Sequence, residues 1–463
     1  MIMVGRIAEL RDTSPGPTDT KTLDEISRFT ASSVLQITYA RRAETPDDPI
    51  LKDLQIVSQN IASAFTPGQY WVEDLPLLDI FPALVSPWKR KLTSDHQFEM
   101  ALFEGLLRGV ERRLDGSKGA QGSIPGQFGG SVIATDQCAS AELLRNQEHF
   151  QLGREDVAYL AAGIFEAGTE TTAMTINTFL LAATCYPEMT RRAQADIDDY
   201  MSSSKNHSED LVPTFADLQH LPYLGAVVKE SLRLTPTGSS GVGHTPTRPG
   251  IHSLRLECDE DGGTNKLTIP NEATVLANTY GLHHDTNRYP EPWHFDPGRW
   301  IALDSNQDFE PGVQRCSTTG YSLDHTHANF AFGFGRRICP GSSLASHTLS
   351  MAIALLLLCF DFKLTDRAEA HRREIEKLDR EEFRRWFELF PASDVGRAAM
   401  HREQLSKEEC HDERDRLGRV LIDAYIAFKL SREQLAECIR LEPRKGRPWL
   451  KAVGDTLAST WGQ

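Results

Sequence analysis

FAFGFGRRICPG, residues 330–341, is the stretch on which the reading of this chain turns. Gly333 and Gly335 let a loop backbone approach a bulky planar group, and Arg336 and Arg337 offer cations to carboxylates. Cys339 stands where a helix is about to start, and the amide donors and dipole of a helix N-terminus favour a thiolate. Pro340 suits a first helical turn, and Gly341 permits close packing. A cysteine taken at random is usually a small buried hydrophobe. These neighbours instead describe a loop that could hold a metal-bound sulfur. A dinucleotide-binding loop does not fit, because the third glycine and the strand-to-helix setting of that fingerprint are missing.

At these residues the chain resembles the cytochrome P450 family of haem-thiolate monooxygenases. Phe332, Gly335, Arg337, Cys339 and Gly341 match every fixed position of the family's cysteine-loop pattern. The resemblance implies haem b as cofactor, with Cys339 as the proximal thiolate on iron, Arg337 as a propionate partner and Phe332 packed over the thiolate side of the ring. Such a ligand pushes electron density onto iron and favours O–O cleavage.

Three further constellations surround the loop. Glu230 and Arg233 in KESLRL lie three apart on an expected helix, so their side chains share a face. Alone this is an ordinary solvated pair. In the resembled family it is the Glu-x-x-Arg core pair, completed by an Arg downstream, which Arg299 in FDPGRW supplies, with Gly298 and Trp300 replacing the more usual Glu and Phe. The trio is read as structural. In AGTETT, residues 167–172, a glycine and three threonines interrupt an otherwise apolar helix, and the Thr171 hydroxyl can reach back to the Ala167 carbonyl. A small-residue helix contact would explain this segment equally well. The resemblance makes it the distal oxygen-activation motif, with Glu170 and Thr171 as the acid and alcohol that deliver protons. His244 in SSGVGHTPT falls where the family often sets a His or Arg against a propionate; a loop histidine with local hydrogen bonds is the alternative. His283, His284 and Asp285 are set aside as a metal site, because neighbours on a strand point to opposite faces. His325 and His327 are set aside too, in a polar insertion. Ala162, Phe165 and Glu166 are expected to line the pocket.

Composition agrees with a large folded enzyme. The chain has 463 residues, 40% hydrophobic and 25% charged, which provides for a sizeable core. Fifty Lys plus Arg against 65 Asp plus Glu give a net charge of −15, which argues against nucleic acid as a partner. Eight scattered cysteines without a CxxC pair point to a reducing compartment. Met351 to Phe360 is too short for a membrane span, which needs about 20 residues, and reads as a buried helix. The Asn206-His207-Ser208 sequon is expected to go unused.

Periodicity predicts helix from Asp24 to Phe65, with Leu54, Val57, Ile61 and Phe65 on one face, and again over Asp95 to Arg113, Arg154 to Cys185 and Pro222 to Leu234. Gly116 to Ser131 is a connector. Thr214 and Asp217 have capping-box spacing, and KLTIP and TVLANTY, near 266–280, read as strands. The expected class is mainly α (α+β), a P450-like helical domain with a small β region, incomplete at its N-terminal side. Residues 1–365 form that domain. Residues 366–463 form a charged helical tail that stands in place of the strands that usually close the substrate pocket.

The texture is closest to fungal members acting on secondary metabolites. The resemblance starts near Asp24, so the membrane anchor, most of the small sheet domain and the helix carrying Trp-x-x-x-Arg are expected to be absent. It implies a monooxygenase for an apolar small molecule, fed by a separate NADPH-dependent reductase, cytoplasmic or peripheral at the endoplasmic reticulum. A non-catalytic interaction scaffold and a haem-thiolate isomerase or dehydratase are the alternatives.

Overall fold

The computed structural model describes residues 3–4, 6–7, 20–64, 66, 68–117, 134–203, 212–239, 241–246, 252–257, 264–270, 273–301, 329–365, 369 and 438–444. Residues 118–131 of the connector, the Asn206–Ser208 sequon, His325, His327, Phe65 and nearly all of the tail lie outside them. The chain divides into two compact units. One is Met1–Asn177 with Arg432–Glu437 and Leu441–Gln463, and the other is Thr178–Ser431 with Cys438–Arg440.

In the first unit α1 (Thr20–Tyr39), α2 (Pro49–Ala64), α3 (Pro87–Ser117), α4 (Ala139–Arg145) and most of α5 (Arg154–Cys185) enclose an apolar core. The helical stretch from Asp24 is two helices. Ala40 takes a left-handed φ of 49° after α1, Pro46 cannot carry a helix onward, and the Asp48 carboxylate accepts the Ile50 N–H at 3.0 Å to open α2. Leu54 and Val57 are buried with Phe103, Leu107, Val110, Val157 and Phe165, and Ile61 packs against them. The α5 bounds match the sequence expectation. Its N-terminus is tied to α3 by a bidentate Arg154–Glu111 pair (2.8 and 2.9 Å), and Asp156 accepts the Gly153 N–H at 2.7 Å. Between α2 and α3, turns and a 3₁₀ segment (Pro76–Ile80) leave Trp71, Leu75, Leu77, Ile80, Phe81, Leu84 and Val85 exposed.

In the second unit α6 (Pro187–Ser203) and α7 (Pro222–Leu234) pack on α9 (Ser342–Cys359), whose Leu349 and Ala352–Cys359 are buried. Gln194 of α6 closes the end of α9 by donating to the Leu357 and Phe360 carbonyls at 3.2 and 2.8 Å. The apolar element is longer than the run Met351 to Phe360 suggests. It is the one helix among the described residues long and apolar enough to cross a membrane, and its buried second half is core of this unit. Asp217 accepts both the amide and the hydroxyl of Thr214 at 2.6 Å, the reach-back half of a capping box, ahead of a short 3₁₀ turn (Leu218–His220).

The β content is small. β1 (His252–Glu257) and β2 (Thr264–Ile269) pair antiparallel with His252 opposite Ile269, so KLTIP is mostly strand. TVLANTY is not. Val275 makes a single bridge to His244, and Asn278 then caps a short helix, α8 (Thr279–His283), by accepting the Gly281 N–H at 2.8 Å. The tail is not helical throughout either: β4 (Ile439–Pro443) pairs with β3 (Phe360–Leu364). Alternating charge masked the short apolar alternation of Ile439 and Leu441, both buried. The fold is mainly α with minor β, as expected.

Candidate functional site

The cysteine loop lies between Asn329 and the start of α9. Gly333 and Gly335 hold φ of 71° and 70°, a region L side chains rarely adopt, and no atom of the described residues stands within 4 Å of where a Cβ would lie on either. Two backbone bonds close the loop: the Gly333 N–H donates to the Phe330 carbonyl at 2.8 Å, and the Cys339 N–H to the Phe332 carbonyl at 2.9 Å. A 3₁₀ turn (Gly335–Arg337) follows, and α9 begins at Ser342, two residues later than Pro340 suggests. The Cys339 sulfur lies 3.8 Å from where a Gly341 Cβ would be, so it sits directly before the first turn of α9. Cys339 and Phe332 are half-buried, and Arg336, Arg337 and Phe334 are exposed.

Behind the loop stands a fully paired charge cluster. Glu230 and Arg233 are both 0% exposed. Arg233 grips the carboxylate through Nε and Nη2, both at 2.8 Å. Arg299 Nε adds a bond at 3.0 Å, the Asp296 N–H another at 3.0 Å, and the Trp300 indole N–H a fifth at 2.8 Å. Burial raises the Glu230 pKa, but Arg233 and Arg299 outweigh it and hold the carboxyl below its ordinary value. Both arginines also clamp backbone: Arg233 donates to the His283 carbonyl (2.8 Å), and both donate to that of His294 (3.3 and 3.2 Å). The trio anticipated from the sequence is therefore assembled. Trp300 as a donor was missed; an indole N–H in place of a phenyl ring was the signal.

Along α5 the distal segment is continuous helix. Two threonine hydroxyls of the segment donate to the carbonyl four residues back, Thr169 to Phe165 (2.8 Å) and Thr171 to Ala167 (2.6 Å), and Thr175 does the same to Thr171 (3.0 Å). The small-residue contact is present on one face of the segment. A Cβ on Gly168 would come within 3.0 Å of the Val34 side chain, so this glycine serves a tight contact with α1. Tyr159, Leu160, Gly163, Ile164, Ala167, Glu170 and Thr171, spaced by three and four, form an exposed and largely apolar stripe.

The pocket-lining expectation needs correcting here. Ala162 and Phe165 are buried in the core, Phe165 against the Tyr39 ring. Leu160, Gly163 and Ile164 stand on the exposed face instead, reached by stepping back three and four from Glu170 and Thr171. Glu166 lies at the stripe's edge, with Oε1 sealed and unpartnered. Burial, then the Glu99 charge, pushes its carboxyl up to about 7.

The histidines divide. His244 is exposed, and its Nδ1 lies 2.7 Å from the Val242 carbonyl, the local bonding that the sequence left open as an alternative to a propionate. His283 and His284 sit at the end of α8 rather than on a strand. The strand argument against a metal site therefore falls, while the commonness of a His-Asp pair at this point of the resembled family is untouched; His283 is committed on both ring nitrogens to backbone, and no group of three metal-binding side chains exists among the described residues.

A family profile described as cytochrome P450 matches residues 2–378. The chain belongs to the cytochrome P450 family. Cytochrome P450 monooxygenase 58 of Postia placenta is 31% identical over 339 residues, 73% of this chain and 56% of that protein. Cytochrome P450 monooxygenase fogE of Aspergillus ruber is 30% identical over 343 residues, 74% of this chain and 55% of that protein. The chain thus spans little more than half the length of these relatives. Among solved structures, a zebra fish cytochrome P450 determined with abiraterone superposes with a TM-score of 0.51 at 19% identity, covering 78% of this chain and 68% of that one, which supports the fold.

The P450 family's haem fits the residues present. No described side chain crowds the backbone at Gly333 and Gly335, which suits the close approach of a flat ring, and the half-buried thiol lies at a helix N-terminus. No carboxylate among the described residues pairs with Arg337, which leaves its guanidinium for an anionic group.

Proposed function

We propose that this chain is the haem-thiolate portion of a monooxygenase that inserts one oxygen atom from O2 into an apolar small molecule, with Cys339 as the axial ligand of haem b. The observation that carries the proposal is the cysteine loop, a half-buried thiol held by its own amide on the Phe332 carbonyl, beside two left-handed glycines that suit the close approach of a ring. When bound, the haem supplies oxygen activation, and thiolate ligation favours it. Phe332 would cover the sulfur side of the ring, and Arg337 would pair with a propionate. His244, exposed beside Val275, is proposed as a second propionate partner, for which its side chain would have to leave the Val242 carbonyl.

Glu170 and Thr171 have the proton-handling role. The Thr171 hydroxyl proton is committed to Ala167, which orients the oxygen so that it can accept a further hydrogen bond. Glu170, exposed next to it, can exchange protons with water. Leu160, Ile164 and Ala167 give the same face an apolar character suited to an apolar substrate. The likeness to fungal monooxygenases supports a secondary metabolite as substrate and a separate NADPH-dependent reductase as electron donor. The exposed apolar run Trp71–Val85 supports a peripheral position on a membrane such as the endoplasmic reticulum.

The test is the reduced carbon-monoxide difference spectrum of the purified chain. A thiolate-type Soret band that disappears in Cys339→Ser is expected; persistence of that band in the variant would rule out Cys339.

A further inference from the structure

We infer that His283 is a positioning residue that sets the cysteine loop, joining the end of the Glu230–Arg233 helix to the loop's first backbone amide through its two ring nitrogens. The inference rests on the reading of Cys339 as the haem ligand and adds how that ligand is held.

The geometry is unambiguous about the tautomer. The Phe330 N–H donates to Nε2 at 2.8 Å, so Nε2 is an acceptor, and the ring proton is on Nδ1, which faces the Arg233 carbonyl at 3.0 Å. The imidazole is 0% exposed. It stacks on the Phe330 ring (centroids 6.1 Å, 22°) and meets Tyr289 edge-on (6.3 Å, 86°), so neither ring nitrogen can turn to another partner. Its own backbone carbonyl accepts from Arg233 Nη1 at 2.8 Å, closing a cycle between side chain and main chain of the two residues. Neutrality is enforced as well: burial, then the Arg233 charge, depresses the ring pKa to about 4.

What the imidazole grips is the root of the loop. Phe330 accepts from Gly333, and Phe332, two residues on, accepts from Cys339 itself. A second strut lies alongside, because Asn329 donates to the Lys229 carbonyl at 2.8 Å and accepts the Ala331 N–H at 3.0 Å. The path from the buried carboxylate to the sulfur-bearing residue is therefore Glu230, Arg233, His283, Phe330, the loop, Cys339. A donor and an acceptor at opposite sides of one rigid ring are what this link requires, and imidazole is the side chain that offers both.

Two near-isosteres separate positioning from packing. In His283→Gln the terminal carbonyl reaches the Nε2 position and keeps the loop bond. In His283→Asn the amide reaches only the Nδ1 position and keeps the bond to Arg233. Amide hydrogen exchange on the full chain should show Phe330 protected in the wild type, still protected in the Gln variant and about tenfold faster in the Asn variant, as expected for one lost hydrogen bond. The reduced carbon-monoxide band should stay thiolate-type with Gln and move to the neutral-thiol type with Asn. Equal behaviour of the two variants in both measurements would overturn the inference. If neither variant folds, rapid exchange of Phe330 in the wild type would overturn it, and protection there would support it. Should the wild type bind no haem, the ligand assignment fails, while the exchange difference between Gln and Asn still decides the role of His283.

Discussion

Around Glu230 five donors meet one buried carboxylate, so each of its oxygens is satisfied; at the edge of the α5 stripe, Glu166 Oε1 and the Tyr39 hydroxyl are sealed without a partner among the described residues. Both places bury polar atoms, and they do so to different ends. A closed network fixes geometry and tolerates no loss. An open one costs stability, and such costs persist where a site must meet something it does not contain. The contrast marks the first region as scaffold, and it is the second that the proposed function assigns to a ligand.

The largest expected effect comes from breaking the closed network. Glu230→Ala strands Arg233 without its carboxylate and should cost roughly 3 to 5 kcal/mol in chemical denaturation, or abolish the folded chain. Next is acid sensitivity through His283. Its folded pKa lies below its unfolded value, so the unfolded chain binds the proton first, and stability should fall as pH drops from about 6.5 to about 4, by at most about 3 kcal/mol. The slope of the denaturation midpoint over that window should flatten in His283→Gln. Trp300→Phe removes one of the five donors and should cost about 1 to 2 kcal/mol by the same assay. The open region predicts the smallest change, with the opposite sign of pH dependence. Glu166 has a raised folded pKa, so its contribution turns unfavourable as pH rises from about 4.5 to about 7. Glu166→Gln should remove that drift without reducing stability; a variant that loses stability at all pH values would mean that Glu166 belongs to the scaffold.

The closed region was also the more legible one in the sequence. Glu-x-x-Arg spacing on a helix opened by Pro222 places two charges on one face, and the bounds Pro222–Leu234 and Arg154–Cys185 followed from prolines and first-turn acids. What joins the pair to the loop was harder to see. His283 is one histidine among fifteen, and its neighbours in space, Arg233 and Phe330, are about fifty residues away on either side. TVLANTY carries β-favouring residues, yet Asn278 supplies a helix cap that overrides them. On α5 the period was plain, but which face turns inward depends on α1, where Val34 meets Gly168 and Tyr39 meets Phe165. No local pattern carries that choice, so Ala162 and Phe165 were placed on the wrong side.

Everything functional depends on what the Cys339 sulfur binds. X-ray absorption at the iron edge of the haem-loaded full chain would report it directly. A single sulfur scatterer is expected in the first iron shell, replaced by a lighter atom in Cys339→Ser. An iron shell of nitrogen and oxygen alone in the wild type, or a sulfur that survives the substitution, would contradict it.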